Sequence, residues 1–291
     1  MTFKVYTAFV IRRFCRIYLP FLVIILLAEC IFLWIQPNGI DGLSGWFNAV
    51  GTNYDNVQVV IENILMSGRY VDKLDPVIWS LVIEMRIAII FPFLYFLVKD
   101  KPVYISIAVM MLSFLVGLLF LTSIGGSFFL IGETIFHMGF FILGIMIALY
   151  WKQVKCFSLQ TRAFFLIFCI ILYDISGIFD VIGFPLKTSI SDFIVGISCF
   201  GILIICYQTQ EVQRYLEKNL FIWLGKISFS LYLVHCVVFI PLVYTFVSVG
   251  MSVDTILLMS IPLLFIIAVL FYRFVEKPTI ILGQRTRVFF L

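Results

Sequence analysis

One stretch of the chain reads WSLVIEMR at residues 79–86 and continues directly into the apolar segment 87–98. It brings the carboxylate of Glu84 and the guanidinium of Arg86 into a segment long and apolar enough to cross a membrane. A charge near the bilayer centre costs about 2.5–3.5 kcal/mol on insertion scales, so it is normally paired or functional. Two residues apart on a helix, Glu84 and Arg86 point to nearly opposite sides. We therefore expect each to have its own polar partner inside a helix bundle.

The composition of the chain is that of a polytopic membrane protein. Of its 291 residues, 63% are hydrophobic and only 12% are charged, whereas soluble domains have about 25% charged residues. The seven cysteines form no Cys-x-x-Cys pair and nearly all lie in apolar runs, which favours packing roles over disulfides or metal ligation. The net charge of +4 follows the membrane topology, so we expect no nucleic-acid partner.

Eight segments are apolar enough to span a bilayer, which requires about 20 predominantly apolar residues. They cover residues 17–35, 78–98, 103–121, 128–150, 162–178, 190–207, 227–247 and 255–273. We therefore predict an all-α membrane helix bundle of about eight transmembrane helices, forming one domain over residues 1–291.

The lysines and arginines between these spans predict the orientation, because cytoplasmic segments are enriched in them. With a cytoplasmic N-terminus, 16 of these residues lie on the inner side: Lys4, Arg12, Arg13, Arg16, Lys99, Lys101, Lys152, Lys155, Arg162, Arg214, Lys218, Lys226, Arg273, Lys277, Arg285 and Arg287. Only 3 lie outside: Arg69, Lys73 and Lys187. We predict that both termini are cytoplasmic and that the protein is a multi-pass protein of the cell inner membrane.

The outer segment 36–77 is long and contains five acidic residues. A connection of this length is either functional or disordered. Its apolar part, Val57–Met66, predicts a short helix on the outer face of the bundle.

Three arginines, Arg12, Arg13 and Arg16, precede the first predicted span. Arg12 and Arg16 share a helix face, and Arg13 is beside them. They serve either as a topology anchor or as a clamp for a phosphate-bearing donor, for which the guanidinium fork is well suited.

Two further polar pairs occur at a spacing of four residues. Ser80 and Glu84 lie on one stripe, either in a structural charge pair or at a reaction centre. Glu133 and His137 also share a helix face. There the carboxylate either orients the imidazole for general-base catalysis or fixes helix packing.

A polar stripe runs along the late segment LGKISFSLYLVH, residues 224–235. Ser228, Tyr232 and His235 are spaced i, i+4 and i+7 and must face the bundle interior or a cavity. His235 is either a satisfied structural residue or a functional one. The sequence has no Gly-rich phosphate loop and no metal-ligand spacing, so we expect no metal.

Four elements of the chain, taken in order, resemble the acyltransferase 3 family of integral membrane acyltransferases. Arg13–Pro20 is similar to its Arg-x-x-Arg element, and residues 79–84 match its Trp-Ser-Leu-x-x-Glu element. Residues 228–235 resemble its Ser-x-Ser-Leu-Tyr-Leu-x-His element, and Glu276-Lys277-Pro278 resembles its closing Glu-Lys-Pro.

The resemblance implies transfer of an acyl group, often acetyl, to a hydroxyl of a carbohydrate or cell-envelope acceptor. It implies no bound cofactor and acyl-CoA, in particular acetyl-CoA, as co-substrate. The arginines at 12, 13 and 16 would hold the CoA phosphates, and Glu84, Arg86 and His235 would line the acyl path. The other partner is the lipid bilayer.

Members of the family typically begin with two further spans, the first of which has an Arg and a His regarded as essential. This chain starts at the third span, so we expect an N-terminally shortened member with poor acyl transfer, in which His137 is the substitute base. The alternative is a catalytically silent membrane protein, either a transporter or a complex subunit.

Overall fold

The computed structural model describes residues 2–52, 57–69, 71–124, 129–150, 157–182 and 188–290, and every regular element in these ranges is a helix. In chain order the helices are α1 (Phe3–Arg13, continuing through Phe14–Tyr18 and Leu19–Ile35), α2 (Gly45–Ala49), α3 (Val57–Ile64), α4 (Val71–Leu74), α5 (Trp79–Val98), α6 (Val103–Leu119, continuing through Phe120–Ile124), α7 (Phe129–Tyr150), α8 (Leu159–Tyr173), α9 (Ile175–Val181), α10 (Thr188–Gln208), α11 (Gln210–Leu216), α12 (Asn219–Val247) and α13 (Val253–Phe271, continuing through Tyr272–Glu276 and Lys277–Phe290). The predicted all-α architecture is confirmed. Of the basic residues used to predict orientation, Lys152, Lys155 and Lys187 lie outside the described residues.

Seven helices within the described residues are long and apolar enough to cross a membrane: α1, α5, α6, α7, α10, α12 and α13. Eight spans were predicted from the sequence, and the predicted span at residues 162–178 is the one that is not among these seven. Its helix α8 has 15 residues, which is about 22 Å against a hydrocarbon core of about 30 Å. The helix ends at Asp174, whose carboxylate interrupts the apolar run, and the chain then begins α9.

Packing divides the chain into two compact units, residues 1–93 with 224–291 and residues 94–223. The core of the first unit joins α1 to α12 through fully buried side chains such as Phe21, Ile25, Leu233 and Ile240. These residues repeat at helical spacing on each helix, so each apolar stripe is buried against the other.

The segment between α1 and α5 folds back along α1. At its start Gly51 has a φ of +72°, and an added Cβ would lie 2.7 Å from the Phe32 ring, so only glycine fits there. Further along, the Ile64 carbonyl accepts a hydrogen bond from the Tyr18 hydroxyl at 3.0 Å. Tyr18 and Phe32 are fourteen residues apart, about 21 Å of helix. The predicted short helix is therefore present as α3, but it lies along the side of α1 rather than on the outer face of the bundle.

Small residues let the helices of the second unit approach closely. A Cβ on Gly117 of α6 would lie 2.5 Å from the Phe136 main chain of α7, and one on Gly139 would lie 2.6 Å from the Phe114 ring. Such small-residue contacts are the usual basis of helix association in membranes. They fix α6 against α7 as a tight antiparallel pair.

Candidate functional site

The predicted site residues divide between the two units. The first unit holds six of them, namely Arg12, Arg13, Arg16, Glu84, Arg86 and His235, and the second holds His137.

The arginine cluster lies where α1 changes from α-helix to the π-helical turn Phe14–Tyr18. Arg12 and Arg13 are half-buried, and Arg16 is exposed. Arg13 is attracted electrostatically by Glu84 and repelled by the other two arginines. Arg16 in turn interacts with Glu276. Two members of the cluster thus face carboxylates of other helices, a feature that a simple topology anchor does not need.

Glu84 and Arg86 have the separate partners expected from their spacing. The Arg86 guanidinium donates a hydrogen bond from Nη2 to the main-chain carbonyl of Ser67, in the segment that folds back along α1. Glu84 instead interacts with the charge of Arg13 and with Tyr232. Arg86 therefore holds the fold-back segment against α5, while Glu84 connects the arginine cluster to α12.

Tyr232 joins α12 to the start of α5. Its hydroxyl donates to the Val77 carbonyl and lies 2.8 Å from Ser80 Oγ. Because the tyrosine proton is used on Val77, Ser80 is the donor in the second bond. The predicted stripe of Ser80 and Glu84 on α5 thus contacts the polar stripe of α12 through Tyr232.

The polar stripe of α12 lines an open groove of about 470 Å³ whose other walls are apolar; the lining residues are Ser228, Leu231, Tyr232, His235, Ile261, Leu264 and Phe265. His235 Nδ1 lies 2.6 Å from the Tyr232 carbonyl, so this nitrogen must be protonated to donate. In the neutral ring Nε2 then has the free lone pair. A base with a fixed tautomer therefore lines the groove.

Asp75 is a buried acid that the sequence showed only as one of the five acidic residues of the outer segment. Its side chain is 0% exposed. Oδ1 accepts from the Val77 amide at 3.4 Å, whereas Oδ2 has no hydrogen-bond partner among the described residues. Burial raises its pKa to about 7, against a smaller lowering by the Val77 hydrogen bond. Asp75 acts electrostatically on both Tyr232 and Cys236.

A second buried acid connects two sequence elements that lie far apart along the chain. Ser230 Oγ donates a hydrogen bond to Glu276 Oε2, and Glu276 is only 4% exposed. Glu276 ends the π-helical turn Tyr272–Glu276 of α13. The pair ties the late α12 motif to the closing Glu-Lys-Pro element, a contact that helical spacing does not predict.

In the second unit, His137 has a comparable tautomer. Its Nδ1 lies 2.8 Å from the main-chain carbonyl of Glu133, and Asp192 of α10 interacts with it electrostatically. The rings of Phe136 and Phe140 flank the imidazole. The expected spacing of four residues thus produces a hydrogen bond to the Glu133 main chain, and Asp192 is a neighbour that periodicity did not indicate.

Comparison with known proteins identifies the family of the chain. Residues 1–273 match the acyltransferase domain that defines the acyltransferase 3 family. The chain belongs to this family. Neither the comparison with curated proteins nor that with solved structures produced a match. Membership identifies the protein as a multi-pass membrane acyltransferase, and the resemblance found in the four motifs is confirmed.

Proposed function

We propose that this acyltransferase moves an acyl group, often acetyl, from acyl-CoA to a hydroxyl of a carbohydrate or cell-envelope acceptor. We further propose that the two units act as one catalytic domain, because the family match extends across both. A position in the cell inner membrane with both termini in the cytoplasm requires that α8 also crosses the bilayer, and the excess of Lys and Arg on one side of the eight-span topology supports that crossing.

The observation that supports this proposal most strongly is that Glu84 interacts electrostatically with both the arginine cluster and Tyr232 of the histidine groove. Arg13 interacts with Glu84, Glu84 with Tyr232, and the Tyr232 carbonyl fixes His235. Cations suited to phosphate and an oriented base thus belong to one polar network within the first unit.

In the proposed reaction, Arg12, Arg13 and Arg16 bind the CoA phosphates. His235 Nε2 accepts the proton of the acceptor hydroxyl, whose oxygen attacks the thioester carbonyl. The carbonyl oxygen becomes an oxyanion, and its collapse breaks the carbon–sulfur bond. The CoA thiolate leaves and takes the proton from the imidazolium. Glu84 offsets the positive charge of Arg13 at the donor end of the site.

The donor site is tested by CoA binding to the purified full chain. We expect Arg13→Gln/Arg16→Gln to weaken CoA binding at least about tenfold, because hydrogen bonds to charged groups contribute about 1.5–3 kcal/mol each. Lys4→Gln, an exposed position on the same helix, is the matched control and should bind normally. Equal affinity of all three proteins would return the arginines to a role in topology alone.

The base is tested by the release of CoA thiol from acetyl-CoA with a sugar acceptor. General-base catalysis contributes about 10²–10⁴-fold, so His235→Gln should lose activity on that scale while retaining CoA affinity. His137→Gln is the comparison in the other unit. Loss of activity in His137→Gln alone would move the base to the second unit, and folded wild-type protein without turnover would favour the catalytically silent alternative.

A further inference from the structure

The second unit contains an apolar groove that the acyl-transfer proposal does not use. It has a volume of about 540 Å³ and lies between α6, α7 and α10. Its walls are formed by aliphatic and aromatic side chains, among them Val103, Met146, Ile147, Phe200 and Leu203. Ligand sites for small molecules are typically about 300–1,000 Å³, so the groove has the size of a ligand site.

The glycine at the floor of the groove is not required for helix packing. A Cβ on Gly196 would lie 2.2 Å from the Phe140 ring, so that glycine permits close helix contact. A Cβ on Gly144 would have only the Phe200 ring near it, at 4.0 Å. Gly144 therefore leaves space open rather than allowing two helices to meet. A larger side chain at this position would occupy the groove.

One end of the groove is polar and has two basic residues next to its lining. Tyr150 and Gln208 line that end. The Tyr150 hydroxyl donates to the Lys101 carbonyl at 2.8 Å, and Arg162 Nη1 donates to the Gln208 carbonyl at 2.7 Å. Arg162 Nε has no hydrogen-bond partner among the described residues, and the Lys101 side chain is exposed. Two basic residues thus contact the polar lining of an otherwise apolar groove.

We propose that this groove binds one acyl chain of an anionic phospholipid, with the phosphate of the headgroup beside Lys101 and Arg162. Basic residues at a membrane surface attract anionic headgroups, whereas the apolar walls match a hydrocarbon chain. Tyrosine is also enriched at the level of the headgroups, which agrees with the position of Tyr150.

The test is native mass spectrometry of the purified full chain after incubation with phosphatidylglycerol or phosphatidylcholine. We expect one retained phosphatidylglycerol per chain and weaker retention of phosphatidylcholine. Lys101→Gln should lower phosphatidylglycerol affinity about fivefold, the contribution of one basic residue near an anionic surface. The same substitution should leave the affinity for phosphatidylcholine unchanged. Arg162→Gln is expected to act in the same direction.

Gly144→Leu should abolish retention of both lipids, because its side chain fills the groove. Gly225→Leu is the matched control, since a Cβ there meets nothing within 4 Å and the position is exposed. Equal retention of both lipids by wild type, or undiminished retention by Gly144→Leu, would refute the proposal. Displacement of phosphatidylglycerol by equimolar palmitoyl-CoA would instead assign the groove to an acyl donor and overturn the lipid assignment.

Discussion

The substitution Asp75→Asn should change how the stability of the protein depends on pH. Asp75 is fully buried, and burial raises its pKa from 3.8 to about 7. In the unfolded chain the carboxyl loses its proton at lower pH than in the folded protein. Between these two pKa values the folded state therefore holds more protons, and stability falls as pH rises. Above about pH 7 the full free-energy cost of ionising the buried carboxyl lowers the stability of the folded protein.

The structure sets the size of this effect. One pKa unit corresponds to about 1.4 kcal/mol, so the interval from 3.8 to about 7 corresponds to a penalty of about 4 kcal/mol at high pH. At pH 5 less than half of it applies, because the folded-state carboxyl remains protonated. Asparagine retains an oxygen that accepts from the Val77 amide but does not ionise. Between pH 5 and pH 8, Asp75→Asn should gain about 2–3 kcal/mol relative to wild type.

Denaturant titrations of the protein in detergent, followed by tryptophan fluorescence from pH 5 to pH 8, measure this difference. Asp41→Asn, at an exposed acid of the same segment, is the control and should follow the wild-type pH profile. Parallel profiles for wild type and Asp75→Asn would show that Asp75 is solvated and that the fold-back of this segment is wrong.

Three other outcomes are expected. Ser230→Ala should lower the free energy of unfolding by about 1–3 kcal/mol, because buried Glu276 loses its donor; an unchanged denaturation midpoint would contradict the pairing. Gly117→Leu should reduce the yield of folded protein in gel filtration, since a Cβ there already lies 2.5 Å from the facing main chain. Reporter fusions at residues 42 and 285 should report opposite sides of the membrane, because the Lys and Arg distribution predicts that α8 crosses it; a report from the same side would contradict that crossing.

The helices were predictable from sequence where apolar runs are long, because a bilayer selects such runs directly. Two departures have physical reasons. Helix α1 begins at Phe3 rather than at residue 17, because hydropathy detects the part of a helix inside the bilayer and not its more polar extension. At α8, the apolar character continued past Asp174, but the helix ends one residue before this exposed carboxylate, which is its C-cap.

The candidate site was predictable in its polar stripes and not in its pairings. Helical spacing placed Ser228, Tyr232 and His235 on one face, and the groove they line agrees with it. Spacing could not show that Asp75 is buried, because that depends on residues 36–78 folding back along α1. Contacts between distant segments, such as Ser230 with Glu276, are likewise set by tertiary packing.

The two π-helical turns of the first unit, Phe14–Tyr18 and Tyr272–Glu276, have a consequence for changes in chain length. Each wide turn accommodates one more residue than an α-helical turn would. Deleting one residue from the turn in α1 would restore regular α-helix at little cost to the backbone. The residues before it would keep nearly the same orientation, because the π turn and the α turn each complete one full rotation. Deleting one residue from the regular helix Leu19–Ile35 would instead rotate everything before it by about 100°, turning Arg13 away from Glu84. The π turn therefore tolerates a deletion that the regular part of the same helix does not.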